Sequence, residues 1–383
     1  MKEDFNRLRL KYHGNPSMMD EILQRECRYK TSAKLPETLK CEGFRFPSLA
    51  VAEMATSDAV ANLHSDMIDD GTLVLDMTCG LGIDSFHFAT KAKSVTAVEL
   101  DHHAYTVALE NATALRLENV KIVEGDSLDY LAKCDDMFDV IFVDPARRDS
   151  SGRHFALRDC SPDIIPALSL ILSRCSTLIV KASPMIDIRS AVNELGLDCE
   201  VTVIGTKKEC KEVVFKIASG SEPTSNPKLT KLEALTTEGT NLRFTPGMET
   251  DATVSYSTPE DGAYLYEPYP AVMKAGGMKL LSATYHIGKL HPNTHLFTSE
   301  KKLDSFPGEV FEIIKVLPFS KQTVKMISKE YPVINVATRN FPLSAPQLAT
   351  KLKIKEGGDK MIFGTTAPDG SRLLIVTTMG TAL

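Results

Sequence analysis

The chain of 383 residues has no apolar run approaching the roughly 18–20 residues that a membrane-crossing helix needs, so no helical span is expected. It has no C-x-x-C pair. Its eight cysteines are scattered, several of them inside apolar segments (Cys79, Cys175, Cys199). Neither a zinc ribbon nor a disulfide framework is indicated, and reduced thiols in a cytoplasmic protein are expected. Basic residues show no excess over the whole chain, with 44 Lys and Arg against 50 Asp and Glu. The total charge thus carries no nucleic-acid footprint. No internal repeat or long low-complexity tract is present. The amino terminus, MKEDFNRLRLKYHG, is charged from its second residue, which argues against a signal peptide.

What is present is ample apolar material and an uneven charge. A hydrophobic content of 43% supports real cores, and the length suits two or three domains. Residues 71–219 carry 16 Lys and Arg against 22 Asp and Glu, a net of −6. Residues 284–383 carry 13 against 8, a net of +5. An acidic body with a basic tail fits either a grip on RNA at the tail or ordinary surface variation.

Residues 1–70 form an expected N-terminal helical region: MMDEILQRECRYKTSAKL, interrupted by Pro36, then SLAVAEMATSDAVANLHSDMI as a second helical stretch. From Thr72 short apolar runs alternate with helical segments. The runs TLVLDM, SVTAVELD, VKIVEGD, FDVIFVD and STLIVKAS predict five parallel strands covered on both faces, with SPDIIPALSLILS among the helices. CEVTVIG and EVVFKIA, separated only by TKKECK, predict a closing antiparallel hairpin. The fold class is α/β over residues 71–219, followed by an expected linker at 220–259. Beyond it, AYLYEPYPAVMKAGGMKLLS predicts strand then helix. THLFTS, EVFEIIKVLP, KQTVKMISKEY and PVINVATR predict strand, strand, helix, strand. PQLATKLKI predicts a helix, and KMIFGTTAPDGSRLLIVTTM a hairpin turning at Asp369-Gly370.

The densest motif is VLDMTCGLGID, residues 74–84, at the end of the first strand. Gly80 and Gly82 allow a tight turn and close backbone approach to a ligand. Glu99, followed by Leu100, closes the second strand, where an acid can accept from both hydroxyls of a ribose. Asp126 follows the third strand and can accept from an adenine amine. Asp144-Pro145 closes the fourth. All four positions lie at carboxyl ends of parallel strands, where ligands of open α/β sheets bind. The glycine loop lacks a third glycine and no pyrophosphate needs cradling. Together with the closing hairpin, this points to S-adenosylmethionine rather than a nicotinamide dinucleotide.

These motifs resemble the class I S-adenosylmethionine-dependent methyltransferases. Asp76, Thr78, Gly80, Gly82 and Asp84 match the first cofactor motif, Glu99 and Leu100 the ribose motif, and Gly125-Asp126 the adenine-side motif. Asp144-Pro145 matches the catalytic-loop motif and borders the cofactor. The form Asp-x-Thr-Cys-Gly resembles trimethylguanosine synthases and ribosomal-RNA guanine methyltransferases. DPARRD, the leader ending in KLP and the C-terminal α+β region are similar to the bacterial methyltransferase family with a THUMP-like domain. That resemblance implies a Rossmann-like sheet, a ferredoxin-like module at 260–303, a THUMP-like domain at 304–383, and RNA as substrate class.

In related enzymes an Asp-Pro-Pro-aromatic loop aims a nitrogen lone pair at the methyl group and stacks the base. Here Asp144 and Pro145 keep the hydrogen-bonding half, and alanine with two arginines replaces the rest. Arg147, Arg148, Phe46 and Phe155 are the candidates to hold the base flat. Lys181-Ala182-Ser183-Pro184 closes the fifth strand, where it either borders the substrate or, the reading favoured here, is structural. Cys79 is expected to pack rather than react. His286, His291 and His295 match no zinc spacing and are expected as loop histidines, without a metal. The alternatives to an RNA base methyltransferase are an enzyme for a small molecule or protein side chain, and a non-catalytic RNA-binding protein with a vestigial pocket.

Overall fold

The computed structural model describes residues 4–147 and 156–382. They group into two units, Met1–Val201 with Glu212–Leu229, and Thr202–Lys211 with Thr230–Leu383. Among the described residues no helix is long and apolar enough to cross a membrane.

The first unit opens with helices α1 (Phe5–Lys11), α2 (Pro16–Thr31), α3 (Leu49–Met54) and α4 (Asp58–Ser65). Residues 48–68, expected as one helix, break at Ala55–Ser57. The Ser57 hydroxyl accepts from the Val60 N–H and starts α4, a side-chain cap that competes with continuing the preceding helix. Leu35, Phe44 and Phe46 of this leader are fully buried. They share one core with Leu81, Ile83, Phe86, Ala97 and Ala108. Burial of each such large side chain contributes roughly 1.5–3 kcal/mol, so the leader is welded to the domain that follows it.

That domain runs β1 (Leu73–Asp76), α5 (Ile83–Phe88), β2 (Ser94–Glu99), α6 (His102–Ala114), β3 (Val120–Glu124), α7 (Ser127–Lys133) and β4 (Phe138–Val143). A short antiparallel pair follows, β5 (Ala146–Arg147) with β6 (Cys160–Ser161). Then come α8 (Leu168–Leu172), β7 (Cys175–Ala182), α9 (Ile188–Leu195), β8 (Cys199–Gly205) and β9 (Cys210–Ala218). β1 lies between β2 and β4, with β3 beyond β2 and β7 beyond β4, all parallel. β9 returns antiparallel beside β7. The five parallel strands and closing hairpin expected from the sequence are therefore present. β4 is buried continuously over Val140–Val143 because helices cover both faces. The helix expected across residues 161–173 shrinks to α8, because Pro162 and Pro166 force the residues before them out of helical geometry.

In the second unit, β10 (Leu229–Thr236) and β11 (Asn241–Phe244) pair antiparallel, and α10 (Pro246–Asp251) follows. The stretch 220–259 is thus more than a linker. Its strand was masked by Lys231 and Glu233, and Glu233 is buried opposite Arg243, 2.7 Å from that guanidinium. Next come β12 (Tyr264–Pro268), α11 (Pro270–Ala275), α12 (Met278–Tyr285), β13 (Gly288–Lys289) and β14 (Phe297–Ser299). Where one helix was expected there are two, because Gly276 takes a left-handed conformation that ends α11.

The chain finishes with β15 (Gly308–Pro318), α13 (Lys321–Glu330), β16 (Asn335–Arg339), α14 (Ala345–Leu352), β17 (Lys360–Thr366), β18 (Arg372–Thr378) and β19 (Thr381–Ala382). The strand order is β13-β14-β12-β15-β18-β17-β16, with β16 and β17 parallel. Alternation splits the core. Ile362, Leu374 and Val376 pack with Ile327, Leu348 and Leu352 of the helices. Phe363 and Ile375 turn to the other face, where the Phe363 ring lies 4.9 Å from that of Phe311.

Candidate active site

β1 ends at Asp76, which is 1% exposed. Burial pushes its carboxyl up to about 7, against hydrogen bonds that favour the charged form. The Ser85 hydroxyl donates to Oδ2 at 2.5 Å and the Thr78 N–H to Oδ1 at 2.9 Å. Asp76 therefore pins the turn from inside, both of its carboxylate oxygens being taken by Ser85 and Thr78. Gly80 and Gly82 both have positive φ, +56° and +86°. A Cβ at Gly80 would stand in open space, its nearest neighbour being Thr78 O at 4.0 Å, so this face is open to a ligand.

Glu99 ties the loop to β2. Its Oε2 accepts from the Gly80 N–H at 2.7 Å and its Oε1 from the Asp101 N–H at 2.9 Å. Beside it Leu100 stands 68% exposed, an apolar surface at the mouth of the sheet. Asp126 is exposed and caps α7, with Oδ1 accepting from the Leu128 and Asp129 N–H groups at 2.9 and 3.0 Å. The Thr78 hydroxyl accepts from the Asp144 N–H at 2.8 Å, which joins the glycine loop to the Asp144-Pro145 loop. A positively twisted glycine loop, an acid bonded to it, an exposed leucine and a second acid together suit a nucleoside with a charged amino-acid tail.

Asp84 turns away from this cleft. Its Oδ2 accepts from the Thr56 hydroxyl at 2.6 Å, and its Oδ1 lies 2.7 Å from His64 Nδ1, so both of its oxygens bond to the leader. Burial would raise its carboxyl, but the Lys181 and His64 charges hold it well below the usual carboxylate range. His64, 1% exposed, also bonds Glu212 through Nε2. Burial alone would lower the imidazole. Glu212 and Asp84 instead raise it to about 10, so it is an imidazolium at neutral pH. Lys181 Nζ donates to Asp144 Oδ2 at 2.7 Å and to Thr56 Oγ1 at 2.9 Å, and lies 3.5 Å from Glu212 Oε2. His64, Thr56 and Glu212 carried no local motif. The one available signal was a carboxylate inside the apolar strand KEVVFKIA, since a buried charge needs a partner.

The raised imidazole sets a pH dependence. The stability that His64 adds is complete below its unfolded value near 6.5 and is lost as pH rises through about 10. The melting-temperature gap between wild type and His64→Gln is therefore expected to narrow from pH 6.5 to pH 10. A gap that stays constant across that range would contradict a charged His64.

Of the candidates for holding a base, Arg148 and Phe155 lie outside the described residues. Arg147 lies in β5, its backbone opposite Cys160. Phe46 is 1% exposed and packs edge-on to Phe44 with ring centroids 5.4 Å apart, which leaves no ring face for a base. Phe46→Leu is expected to cost about 1–2 kcal/mol by denaturant unfolding while KM for substrate stays unchanged. A raised KM would restore Phe46 to the site. Cys79 is buried and its thiol is raised by burial, in keeping with packing. The His291 ring nitrogen accepts from the Asn293 N–H at 3.1 Å, and among the described residues no metal-binding cluster of three or more His, Cys, Asp or Glu side chains occurs.

Comparison with known proteins places this geometry. A methyltransferase-domain family model matches residues 68–212, a ferredoxin-like domain model residues 264–307, and a THUMP domain-like model residues 308–378. A crystal structure from Porphyromonas gingivalis W83, provisionally titled a methyltransferase, is 30% identical with a TM-score of 0.85 and covers 98% of this chain and 94% of that one. An uncharacterized S-adenosylmethionine-dependent methyltransferase of Mycobacterium tuberculosis is 22% identical over 79% of each chain. An uncharacterized RNA methyltransferase of Mycoplasma mobile is 36% identical over 24% of this chain and 25% of its own.

Proposed function

The chain belongs to the class I S-adenosylmethionine-dependent methyltransferases of the bacterial family with a THUMP-like domain, and from that premise we propose that it methylates a nitrogen of an RNA base. The observation that carries this is the 2.8 Å bond from the Asp144 N–H to Thr78, which ties the Asp-Pro loop to the glycine loop. The backbone around Gly80, the Glu99 carboxylate, Leu100 and Asp126 would hold the cofactor. When bound, S-adenosylmethionine supplies a methyl group already activated on a sulfonium, so the protein's task is mainly orientation.

Lys181 takes Asp144 Oδ2, which leaves Oδ1 for the substrate. Oδ1 accepts one N–H of the target nitrogen and the Pro145 carbonyl a second, which aims the lone pair for in-line attack. As the new N–C bond forms, the sulfur–methyl bond would break and release S-adenosylhomocysteine, and the proton leaves the nitrogen for Asp144 and passes to water, since the Asp144 side chain is 41% exposed. RNA as the substrate is supported by the net +5 of residues 284–383, by the THUMP domain-like match, and by relatives named as RNA methyltransferases. A cytoplasmic location fits the eight free thiols.

The test is incubation of the purified protein with methyl-labelled cofactor and RNA, protein and small-molecule fractions from a strain lacking the gene. Label in RNA, released by digestion as an N-methylated nucleoside, is expected. Label confined to protein or small molecules, or to carbon of a base, would overturn the proposal. RNA affinity should also fall steeply with salt, as phosphate-dominated binding does.

A further inference from the structure

Five side chains from five separate places form a ring of four hydrogen bonds and one ion pair next to Asp144. Lys181, on β7, bonds Thr56 at the break between α3 and α4. Thr56 donates to Asp84 on α5, Asp84 bonds His64 on α4, His64 bonds Glu212 on β9, and Glu212 lies 3.5 Å from Lys181. The side chains of His64, Glu212, Lys181 and Asp84 are 1, 6, 11 and 12% exposed. The ammonium donates to Asp144 and Thr56 and forms an ion pair with Glu212; the imidazolium has two N–H groups and two acceptors; the Thr56 hydroxyl donates to Asp84 and accepts from Lys181. The direction of each of the four hydrogen bonds is therefore set. With Asp144 the cluster holds two cations and three carboxylates, a single net negative charge beside the reacting site.

We propose that Lys181, fixed by the Thr56–Asp84–His64–Glu212 ring, is the positioning residue that sets the orientation of the Asp144 carboxylate for methyl transfer. This rests on Asp144 being the acceptor for the target nitrogen. Because the Lys181 ammonium is held by Asp144, Thr56 and the Glu212 charge, its action passes through Asp144. Because the ring draws on the leader and on β9, both are parts of the catalytic apparatus.

The experiment compares Lys181→Met/Glu212→Gln, which removes one cation and one anion and keeps the net charge, with Thr56→Val and Thr56→Ser. For the double variant kcat is expected to fall about 100-fold, while RNA KM and calorimetric affinity for S-adenosylhomocysteine stay within about threefold. Its crystal structure is expected to show Asp144 in a different rotamer. Thr56→Val should lose about tenfold in kcat and Thr56→Ser should recover it. The proposal is overturned if kcat stays within about threefold in both the double variant and Thr56→Val, or if Asp144 is unmoved in the crystal. Should the double variant not fold, the Thr56 pair decides alone, equal kcat in Val and Ser forms being the refuting result. Retained activity in Asp144→Asn would instead sink the underlying assignment of Asp144. An inactive Asp144→Asn beside a fully active Lys181 variant would sink only the ring.

Discussion

Asp144→Asn is expected to lower kcat by roughly 100–1000-fold, the range seen when one preorganised electrostatic partner is removed. The argument is directional. Lys181 donates at 2.7 Å to Oδ2 of the native carboxylate, and it can donate only to an oxygen. In the variant it claims the single amide oxygen, and the amide NH2 is left facing the target nitrogen. Two donors then oppose each other where the native residue accepts, and the lone pair loses its aim. The acceptor for the departing proton is lost as well. Binding of S-adenosylhomocysteine should change less than about threefold, because residue 144 reaches the glycine loop through its backbone N–H to Thr78, which the substitution keeps. Single-turnover kinetics with labelled cofactor, alongside calorimetry, separate the two quantities. A kcat within about tenfold of wild type would remove Asp144 from the chemistry.

Gly82→Ala is expected to cost about 2–4 kcal/mol in stability, from two separate causes. At φ +86° an alanine sits where its Cβ crowds its own backbone, worth about 1 kcal/mol. The added Cβ would also lie 2.4, 2.6 and 2.9 Å from three ring atoms of Phe86. Phe86 is 6% exposed within the core shared with the leader, so the ring cannot swing aside, and overpacking of this kind costs roughly 1–3 kcal/mol. At about 2–4 °C per kcal/mol the melting temperature should fall by roughly 4–16 °C. Adding Phe86→Leu should recover the overpacking part in a double-mutant cycle and leave the backbone part. Additivity of the two substitutions would refute the clash. Gly80→Ala is the contrast, since its Cβ meets open space and its effect should fall on cofactor affinity rather than packing.

Much of this was legible before any coordinates. Continuous apolar runs revealed the parallel strands, because a strand covered on both faces needs no alternation, and they placed Asp76, Glu99 and Asp144 at strand ends. Less legible was where each of those acids points. Asp76 and Asp84 carry the same motif letters as a ligand-facing acid, yet burial turned the first onto Ser85 and Thr78 and the second onto Thr56 and His64. Phe46 looked equally fit for a base or for a core, and the core took it. The strand in 229–236 was hidden because its charges are neutralised by a partner strand, which one strand's own periodicity cannot record.

By itself the sequence determined the α/β order, the glycine loop and the row of strand-end acids, since these depend on side chains a few residues apart acting on their own backbone. The tertiary structure alone decided the ring. His64 and Glu212 are 148 residues apart, and Lys181 and Thr56 are 125. No local pattern encodes such pairings. They exist because packing brings the leader and β9 to one buried point, where charges removed from water must find each other.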